Sequence, residues 1–299
     1  YENPEMKKLI LFIGTPLLLI IIAGAALYNT AGGQDFLIER LAKLGASQKA
    51  IDPEGLNVIV CGSASPLGND PNRAQACIAV VTPEHFFLFD IGDRAPLRIA
   101  QGRLPVARLN GIFLTHFHSD HIAGVPSVNM NSWIQGRDSE LKVYGPQGVE
   151  TVVSGFNTAY QLDKTYRTAH HGADLLPAAT AAMNPITLTP GVVFQDVNIK
   201  ITAFPVDHAP IDPAMGYRID YKGRSVVISG DTVSTESLFI AAKDADLLLH
   251  DALSEPALAA VIAAIKASGN DRTAAIVSDV HDYHAHSTNL EAQSKKAGI

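Results

Sequence analysis

The hydrophobic residues of the chain form one long run and many short ones. The long run, Leu9 to Leu27, contains no charged residue, and an apolar stretch of this length is long enough to cross a bilayer as a helix. Lys7 and Lys8 precede it, and positive charge before a span predicts a cytoplasmic N-terminus. The alternative is a cleaved signal peptide with the small residues at 23–25 near its cleavage site. Both interpretations predict that the rest of the chain faces the periplasm, anchored in the inner membrane or secreted.

The same pattern divides the chain into three segments. Residues 1–30 form a leader with the transmembrane helix or signal peptide, and residues 31–55 form a linker with a short amphipathic helix over Phe36–Leu44. Residues 56–299 contain neither an internal repeat nor a long linker. We therefore expect residues 56–299 to fold as one globular domain.

Short apolar runs bounded by Gly, Pro, Asn or Asp predict strands in this domain. The predicted strands are Leu56–Cys61, Ala76–Thr82, Phe86–Asp90, Gly111–Thr115, Val192–Phe204, Gly216–Tyr221, Ser225–Ser229 and Asp246–His250. The predicted helices are Glu150–Tyr160, Ser234–Lys243, Pro256–Ala267 and Thr288–Ala297. Because helices lie between and after groups of strands, the pattern favours an α/β (α+β) fold of two sheets flanked by helices.

Composition narrows the class of protein. Of the 299 residues, 47% are hydrophobic and 18% are charged, which excludes an intrinsically disordered chain. The net charge of −7 disfavours a general nucleic-acid-binding protein, because phosphates attract positive charge. Two cysteines are too few for a disulfide scaffold or a thiolate zinc finger. Their spacing leaves open whether Cys61 and Cys77 are paired, since pairing depends on the distance between their Cα atoms.

The candidate chemistry is concentrated in one loop. The short apolar strand Gly111–Thr115 leads directly into His116, His118, Asp120 and His121. Imidazole is the commonest metal ligand in proteins, and a set of nitrogen and oxygen ligands suits Zn²⁺, with Mn²⁺ or Fe as alternatives. Alternate residues of an extended loop can converge. We therefore expect the first two histidines to bind one ion and the last two residues to reach a second.

The H-x-H-x-D-H motif at residues 116–121 resembles the hallmark of the metallo-β-lactamase superfamily. Further blocks follow the family's order, and the later ones resemble its ribonuclease Z and arylsulfatase branch. These blocks are Asp90-Ile91-Gly92, Asp207-His208 with Gly216-Tyr217-Arg218, Ser229-Gly230-Asp231-Thr232, Asp246–Ala252 and His286-Ser287-Thr288. The resemblance covers most of residues 56–299 and implies an αββα sandwich of two mixed β-sheets flanked by helices.

The resemblance also implies a centre of two Zn²⁺ ions. Its metal ligands would be His116, His118, Asp120, His121, His208 and Asp231. The first ion would be bound by His116, His118 and His208. Asp120 and His121 would bind the second ion, and Asp231 would bridge both.

The implied catalytic residues are Asp120, His286 and Asp251. A hydroxide between the two ions would be the nucleophile, and Asp120 would accept its proton. His286 would act as the general acid or bind the developing anion, and His284 is the alternative for this role. Asp251 stands where the family has a glutamate, and it would orient His286.

One family feature has no counterpart in the sequence. The last metal ligand of the family is a histidine on a strand that follows the block at His286, and the sequence ends about where that strand would begin. We expect that this final strand lies beyond the given sequence. The alternative is a second metal site that lacks this ligand, with His284 as a substitute.

The resemblance implies a ribonuclease Z-like hydrolase that cleaves phosphodiester or sulfate ester bonds in small anionic esters, and the N-terminal apolar run implies that it is exported. We do not expect tRNA as a substrate, because tRNA is cytoplasmic and the basic cluster at residues 164–172 is small. One alternative is a lactonase or β-lactamase-like acyl hydrolase. The other is a metal-binding protein with a degraded active site. Expected partners are the membrane and, as an open option, a second copy in a homodimer.

Overall fold

The computed structural model describes residues 24–47, 54–66 and 72–298. The chain divides into two compact units, Tyr1–Ala50 and Ile51–Ile299. In the first unit, helix α1 spans Ala31–Ser47. It includes the segment Phe36–Leu44, for which the sequence predicts a helix.

The predicted membrane span, residues 9–27, lies outside the described residues except for residues 24–27. Within the described ranges, the structure contains no helix that is both long and apolar enough to cross a membrane. Over the described ranges this finding contradicts the predicted localisation, anchored in the inner membrane facing the periplasm or secreted, since no helix there could serve as the anchor. The membrane as a partner is likewise unsupported.

The second unit contains two β-sheets. The first sheet has the strand order β1 to β6, with bounds Asn57–Gly62, Cys77–Val81, Phe86–Phe89, Gly111–Phe113, Leu141–Gly145 and Met183–Thr187. The second has the order β11-β10-β9-β8-β7, and β7 to β11 span Gly191–Gln195, Ile199–His208, Ile211–Tyr221, Arg224–Ile228 and Leu247–Leu249. In the first sheet, β1 to β3 pair antiparallel and β3 to β6 pair parallel. In the second sheet only β10 and β11 pair parallel. Both sheets are mixed, as predicted.

Nine helices of the second unit follow in chain order, counted over the described residues. Helices α2 to α10 span Ala95–Gln101, Ser119–Ile122, Val125–Ile134, Val149–Ala159, Gln161–His171, Glu236–Ala242, Glu255–Ala267, Asp271–Asp279 and Ser287–Ala297. The four helices predicted from the sequence correspond to α5, α7, α8 and α10. Two others were not predicted from the sequence. Most residues of α4 are buried, so it has no polar face, whereas α6 buries none of its residues.

Strand β3 shows how the layers pack. Phe86 and Leu88 lie in the core that the first sheet shares with helices on its outer face. Phe87 and Phe89 point to the opposite face and pack against the second sheet, because successive strand residues alternate in direction. Between the sheets, the rings of Phe113 and Tyr144 stack with centroids 4.4 Å apart. The outer face of the second sheet packs in turn against α7. This arrangement is a four-layer αββα sandwich, and the fold expected for this unit is confirmed.

The structure also decides the pairing of the two cysteines. Cys61 lies on β1 and Cys77 on β2, which are neighbouring antiparallel strands. Their Cα atoms are 5.0 Å apart, and the two sulfurs form a disulfide. This distance lies within the range that a disulfide requires.

Candidate metal centre

The candidate functional side chains follow the ends of four strands. Residues 114–121 leave the end of β4, and His208 is the last residue of β8. Residues 229–232 follow β10, and Asp251 follows β11. Strand ends held by a packed sandwich form a rigid support for loop side chains. The two central sheets thus bring residues as distant in sequence as His116 and Asp251 to one edge.

Two glycines allow the backbones of these loops to approach each other. A Cβ atom at Gly92 would lie 2.0 Å from the backbone oxygen of Asp120, and one at Gly230 would lie 2.8 Å from Cβ of Thr115. Gly230 also has a φ of 65°, in the left-handed region that glycine adopts without steric cost. The D-I-G and S-G-D-T blocks therefore need glycine for backbone packing around the site.

Asp90 holds the loop after β4 in place. One carboxylate oxygen, Oδ1, accepts a hydrogen bond from the backbone N–H of Thr115 at 2.8 Å. The other, Oδ2, accepts from the Thr115 hydroxyl at 2.8 Å and from Nδ1 of His121 at 2.8 Å. Because Thr115 Oγ1 donates to Asp90, it accepts from Nδ1 of His116, 3.0 Å away. A single buried carboxylate thus sets the orientation of two imidazoles.

Because Nδ1 of His116 and Nδ1 of His121 carry the donated protons, Nε2 of each neutral ring has a lone pair that can bind a metal ion or accept a hydrogen bond. Nε2 of His116 is buried and has no hydrogen-bond partner among the described residues. Nε2 of His121 points at Oδ2 of Asp231, 3.2 Å away. His208 donates from Nδ1 to the backbone oxygen of Tyr283 at 3.0 Å, so its Nε2 is also an acceptor, and it faces Nδ1 of His118 at 3.4 Å. Histidines that bind metals are held in this way, with the second N–H donated to a carboxylate or a carbonyl. These residues therefore fit a divalent metal ion.

The candidate ligand atoms form two overlapping groups. Those of His116, His118 and His208 lie within 4.8 Å of one another, and so do those of His116, His121 and Asp231. The ring centroids of His116 and His121 are 4.1 Å apart. Oδ2 of Asp120 lies 3.6 Å from Nε2 of His121. The structure thus brings together all six residues that the sequence nominated as metal ligands. Their role as ligands remains a prediction.

The electrostatics of the site suit a cation. Burial lowers the pKa of His116 to about 2, and the neighbouring His121 adds to this effect. Burial also lowers the pKa of His208. Burial opposes charge on His121 as well, but the carboxylates of Asp90 and Asp231 raise its pKa well above the usual value. Neutral imidazole is the form that binds metals, and the negative charge that favours a proton on His121 would equally favour a metal ion.

The structure pairs Asp251 with His284, whereas the resemblance implies a pairing with His286. Nδ1 of His284 lies 2.6 Å from Oδ2 of Asp251, and the His284 ring centroid is 5.3 Å from that of His208. Burial opposes charge on His284, but Asp251 raises its pKa. Nδ1 of His286 instead lies 3.1 Å from Oε1 of Glu255. The backbone bends at residues 283–284, so the two side chains diverge.

Sequence reasoning gave no role to two residues that support the site. The backbone oxygen of Tyr283 accepts from His208, and a backbone contact of this kind leaves no signal in the residue type. Asp90 was recognised only as part of a resembling block. The signal available in the sequence was its position directly after an apolar strand. A carboxylate at such a position is buried, and a buried carboxylate must have hydrogen-bond or charge partners.

Comparison with known proteins places this geometry in a family. Residues 88–287 match the family described as Beta-lactamase superfamily domain. Ribonuclease Z of Mycobacterium bovis (strain BCG / Pasteur 1173P2) is 33% identical over 247 residues, which cover 82% of this chain and 83% of that protein. The short form of human tRNase Z has a TM-score of 0.52 with 22% identity, and the match covers 78% of this chain and 93% of that one.

A further solved structure, the metallo-beta-lactamase fold protein YhfI from Bacillus subtilis, has a TM-score of 0.52 with 19% identity. That match covers 68% of this chain and 74% of that chain. At these identities the two structures show the fold alone. The expected likeness to arylsulfatases is not supported by these comparisons. The family match and the mycobacterial relative together show that the chain belongs to the beta-lactamase superfamily, as a ribonuclease Z-like hydrolase with the metallo-β-lactamase fold.

Proposed function

We propose that this protein hydrolyses phosphodiester bonds with two divalent metal ions, and that RNA is the first substrate class to test. The observation that carries the proposal is that His116, His121 and His208 each direct one ring nitrogen into the group of candidate ligand atoms. Each of these rings has its other nitrogen tied to a hydroxyl, a carboxylate or a carbonyl. The 33% identity to a ribonuclease Z supports the choice of a phosphodiester.

The ligands proposed for the first ion are His116, His118 and His208. For the second ion they are Asp120, His121 and the shared Asp231. A donor set of imidazole and carboxylate suits Zn²⁺, with Mn²⁺ or Fe as alternatives. When bound, such ions supply Lewis-acid stabilisation of phosphoryl oxygens and lower the pKa of water.

The remaining chemistry belongs to the chain's own side chains. Asp120 is buried beside His121, and we assign its carboxylate the role of accepting the proton of the attacking water. His284 donates from Nδ1 to Asp251, which leaves Nε2 for the substrate. We assign Nε2 of His284 the role of protonating the leaving oxygen or binding the developing anion. Asp251 keeps the ring in the orientation that this role requires.

The basic cluster suggested by the sequence offers little additional grip on a nucleic acid. Within helix α6, Arg167 forms an ion pair with Asp163, with Nε 3.0 Å from Oδ2. This pairing leaves Lys164 as the main cation there. Any RNA substrate would therefore be held mainly at the metal centre, and we expect short RNAs to be cleaved about as well as long ones.

The test is a substrate panel on the purified protein after reconstitution with Zn²⁺ or Mn²⁺. The panel contains a short RNA, bis(p-nitrophenyl) phosphate, p-nitrophenyl sulfate and a lactone. We expect turnover of both phosphodiesters, loss of that turnover in His116→Ala, and no loss in His171→Ala, whose histidine is exposed at the end of α6. A protein that holds its metals but prefers the sulfate or the lactone would refute the phosphodiester assignment. A metal-loaded protein without any turnover would support the alternative of a metal-binding protein.

A further inference from the structure

A second cluster of ligand-type side chains lies outside the candidate centre. It consists of Glu255, at the start of α8, and of His281 and His286, which flank the loop before α10. Nε2 of His281 and Nδ1 of His286 each lie 3.1 Å from the same oxygen, Oε1 of Glu255. The two imidazole centroids are 4.3 Å apart. We define these three residues as the peripheral triad.

The hydrogen bonds of the peripheral triad direct free acceptors toward its centre. Nε2 of His286 lies 3.0 Å from the backbone oxygen of His281, and a carbonyl can only accept, so this nitrogen carries the proton. In the neutral ring, Nδ1 of His286 is then an acceptor that faces the acceptor Oε1 of Glu255. Two acceptors at 3.1 Å repel each other unless a proton or a metal ion lies between them.

His281 shows the same arrangement. Its Nε2 faces Glu255, while its Nδ1 lies 3.5 Å from a carboxylate oxygen of Asp282. Both histidines of the triad therefore present one nitrogen to a common point and have an oxygen acceptor behind the other nitrogen. Histidines that bind metals are oriented in the same way, because the ring nitrogen that does not bind the metal donates its proton to a carboxylate or a carbonyl.

The position of the triad connects it to the candidate centre. The loop between its two histidines carries Tyr283, whose backbone oxygen holds His208, and His284, which binds Asp251. On the other side, backbone hydrogen bonds join Leu253 to Ala285 and Ser287 at 2.7 and 2.9 Å. An ion at the triad would hold both ends of the loop against the start of α8.

We propose that Glu255, His281 and His286 bind one additional divalent transition-metal ion, of the Zn²⁺ class, which fastens the loop 281–286. Two imidazoles and one carboxylate form a ligand set that Zn²⁺ prefers, with solvent completing the coordination. His281 and Glu255 are about half exposed, at 49% and 41%. The ion is therefore exchangeable, and it binds more weakly than ions at the buried centre.

The test is Zn²⁺ titration of the full-length, metal-loaded protein by calorimetry near neutral pH, with metal content checked by mass spectrometry. We expect wild type to bind one more equivalent after the main centre is filled. Glu255→Gln and His281→Asn should each weaken that step at least about tenfold, the loss that even an outer partner of a ligand can cause. The matched control is His171→Asn, which removes one of two adjacent exposed histidines, His170 and His171, that form no ion pair with a carboxylate in the described part of the chain. An equal extra equivalent with equal affinity in wild type and both triad variants would overturn the proposal, and so would the absence of the extra equivalent in wild type.

A second measurement makes the result independent of turnover. In hydrogen exchange, excess Zn²⁺ should slow the exchange of the amides at residues 281–286 in wild type but not in Glu255→Gln. Equal protection in both proteins would count against the triad. Because metal count and exchange are read without substrate, failure of the triad and failure of the proposed hydrolase activity remain distinguishable.

Discussion

His284 provides the sharpest test of how this site works, because the resemblance and our proposal from the structure give the same role to different histidines. The sequence favours His286, whereas the structure places His284 against Asp251, with Nδ1 2.6 Å from Oδ2. His286 contacts Glu255 and the backbone of His281. Replacing each histidine by alanine therefore separates the two assignments.

The size of the effect depends on the leaving group. A general acid contributes about 10²–10⁴-fold when it protonates a poor leaving group. His284→Ala should therefore lose activity on that scale toward a short RNA, whose leaving oxygen is an alkoxide. It should lose little toward bis(p-nitrophenyl) phosphate, because nitrophenolate departs unaided. Asp251→Asn should follow the same pattern more weakly, by about 10–100-fold, as expected for an outer partner that only orients the ring.

The assay measures kcat/KM on both substrates together with metal content. Selective loss on RNA in His286→Ala, but not in His284→Ala, would refute the structural assignment and restore the sequence-based one. Loss of a metal ion in His284→Ala would identify this residue as a ligand instead, within the group formed by Asp231, Asp251 and His284. Equal loss on both substrates with metals retained would refute acid catalysis and indicate substrate binding.

The remaining predictions concern the metal centre and the disulfide. Asp231→Ala should disturb both ions, because its carboxylate is shared, and two fully retained Zn²⁺ ions by mass spectrometry would contradict that role. Asp90→Asn should weaken metal binding by about 10–100-fold, measured by competition with a chelator, because Oδ2 of Asp90 orients the ring of His121. Cys61→Ser should lower the free energy of unfolding by about 3 kcal/mol, since the disulfide to Cys77 closes a loop with a sequence separation of 16. Denaturant titration checks this value, and an unchanged free energy of unfolding would contradict it.

Several elements were predictable because their signal is local. The run Phe86–Phe89 is buried on both faces, so an apolar stretch between turn residues was a sufficient sign of a strand. The motif at residues 116–121 follows its strand directly, and ligands this close in sequence converge wherever the loop is placed. Helix α8 has 13 residues with a proline in its first turn, a position that favours a helix start. None of these features requires knowledge of distant contacts.

Other elements lacked such a signal for identifiable reasons. Strand β6 contains Pro185, which argues against a strand unless the strand lies at an edge, and β6 is an edge strand. The single strand predicted over Val192–Phe204 is two strands, β7 and β8, with a turn at residues 196–198. Helix α6 buries none of its residues, and its apolar side chains Leu162 and Tyr166 are exposed, so its few apolar positions do not mark a face that packs on the core.

The sequence by itself determined the two-sheet fold, through its periodicity, and the candidate ligands at residues 116–121, through their short spacing. His208 and Asp231 were predicted only from the resemblance to the family. Only the tertiary structure decided which distant residues meet. His208 reaches the motif because β8 pairs with β9, whose Met215 donates to Thr115. The pairing of Cys61 with Cys77 depends on the registry of β1 and β2. The choice of His284 over His286 depends on a bend in the backbone. Each of these is a distance through space, and such a distance is set by long-range packing that no local pattern encodes.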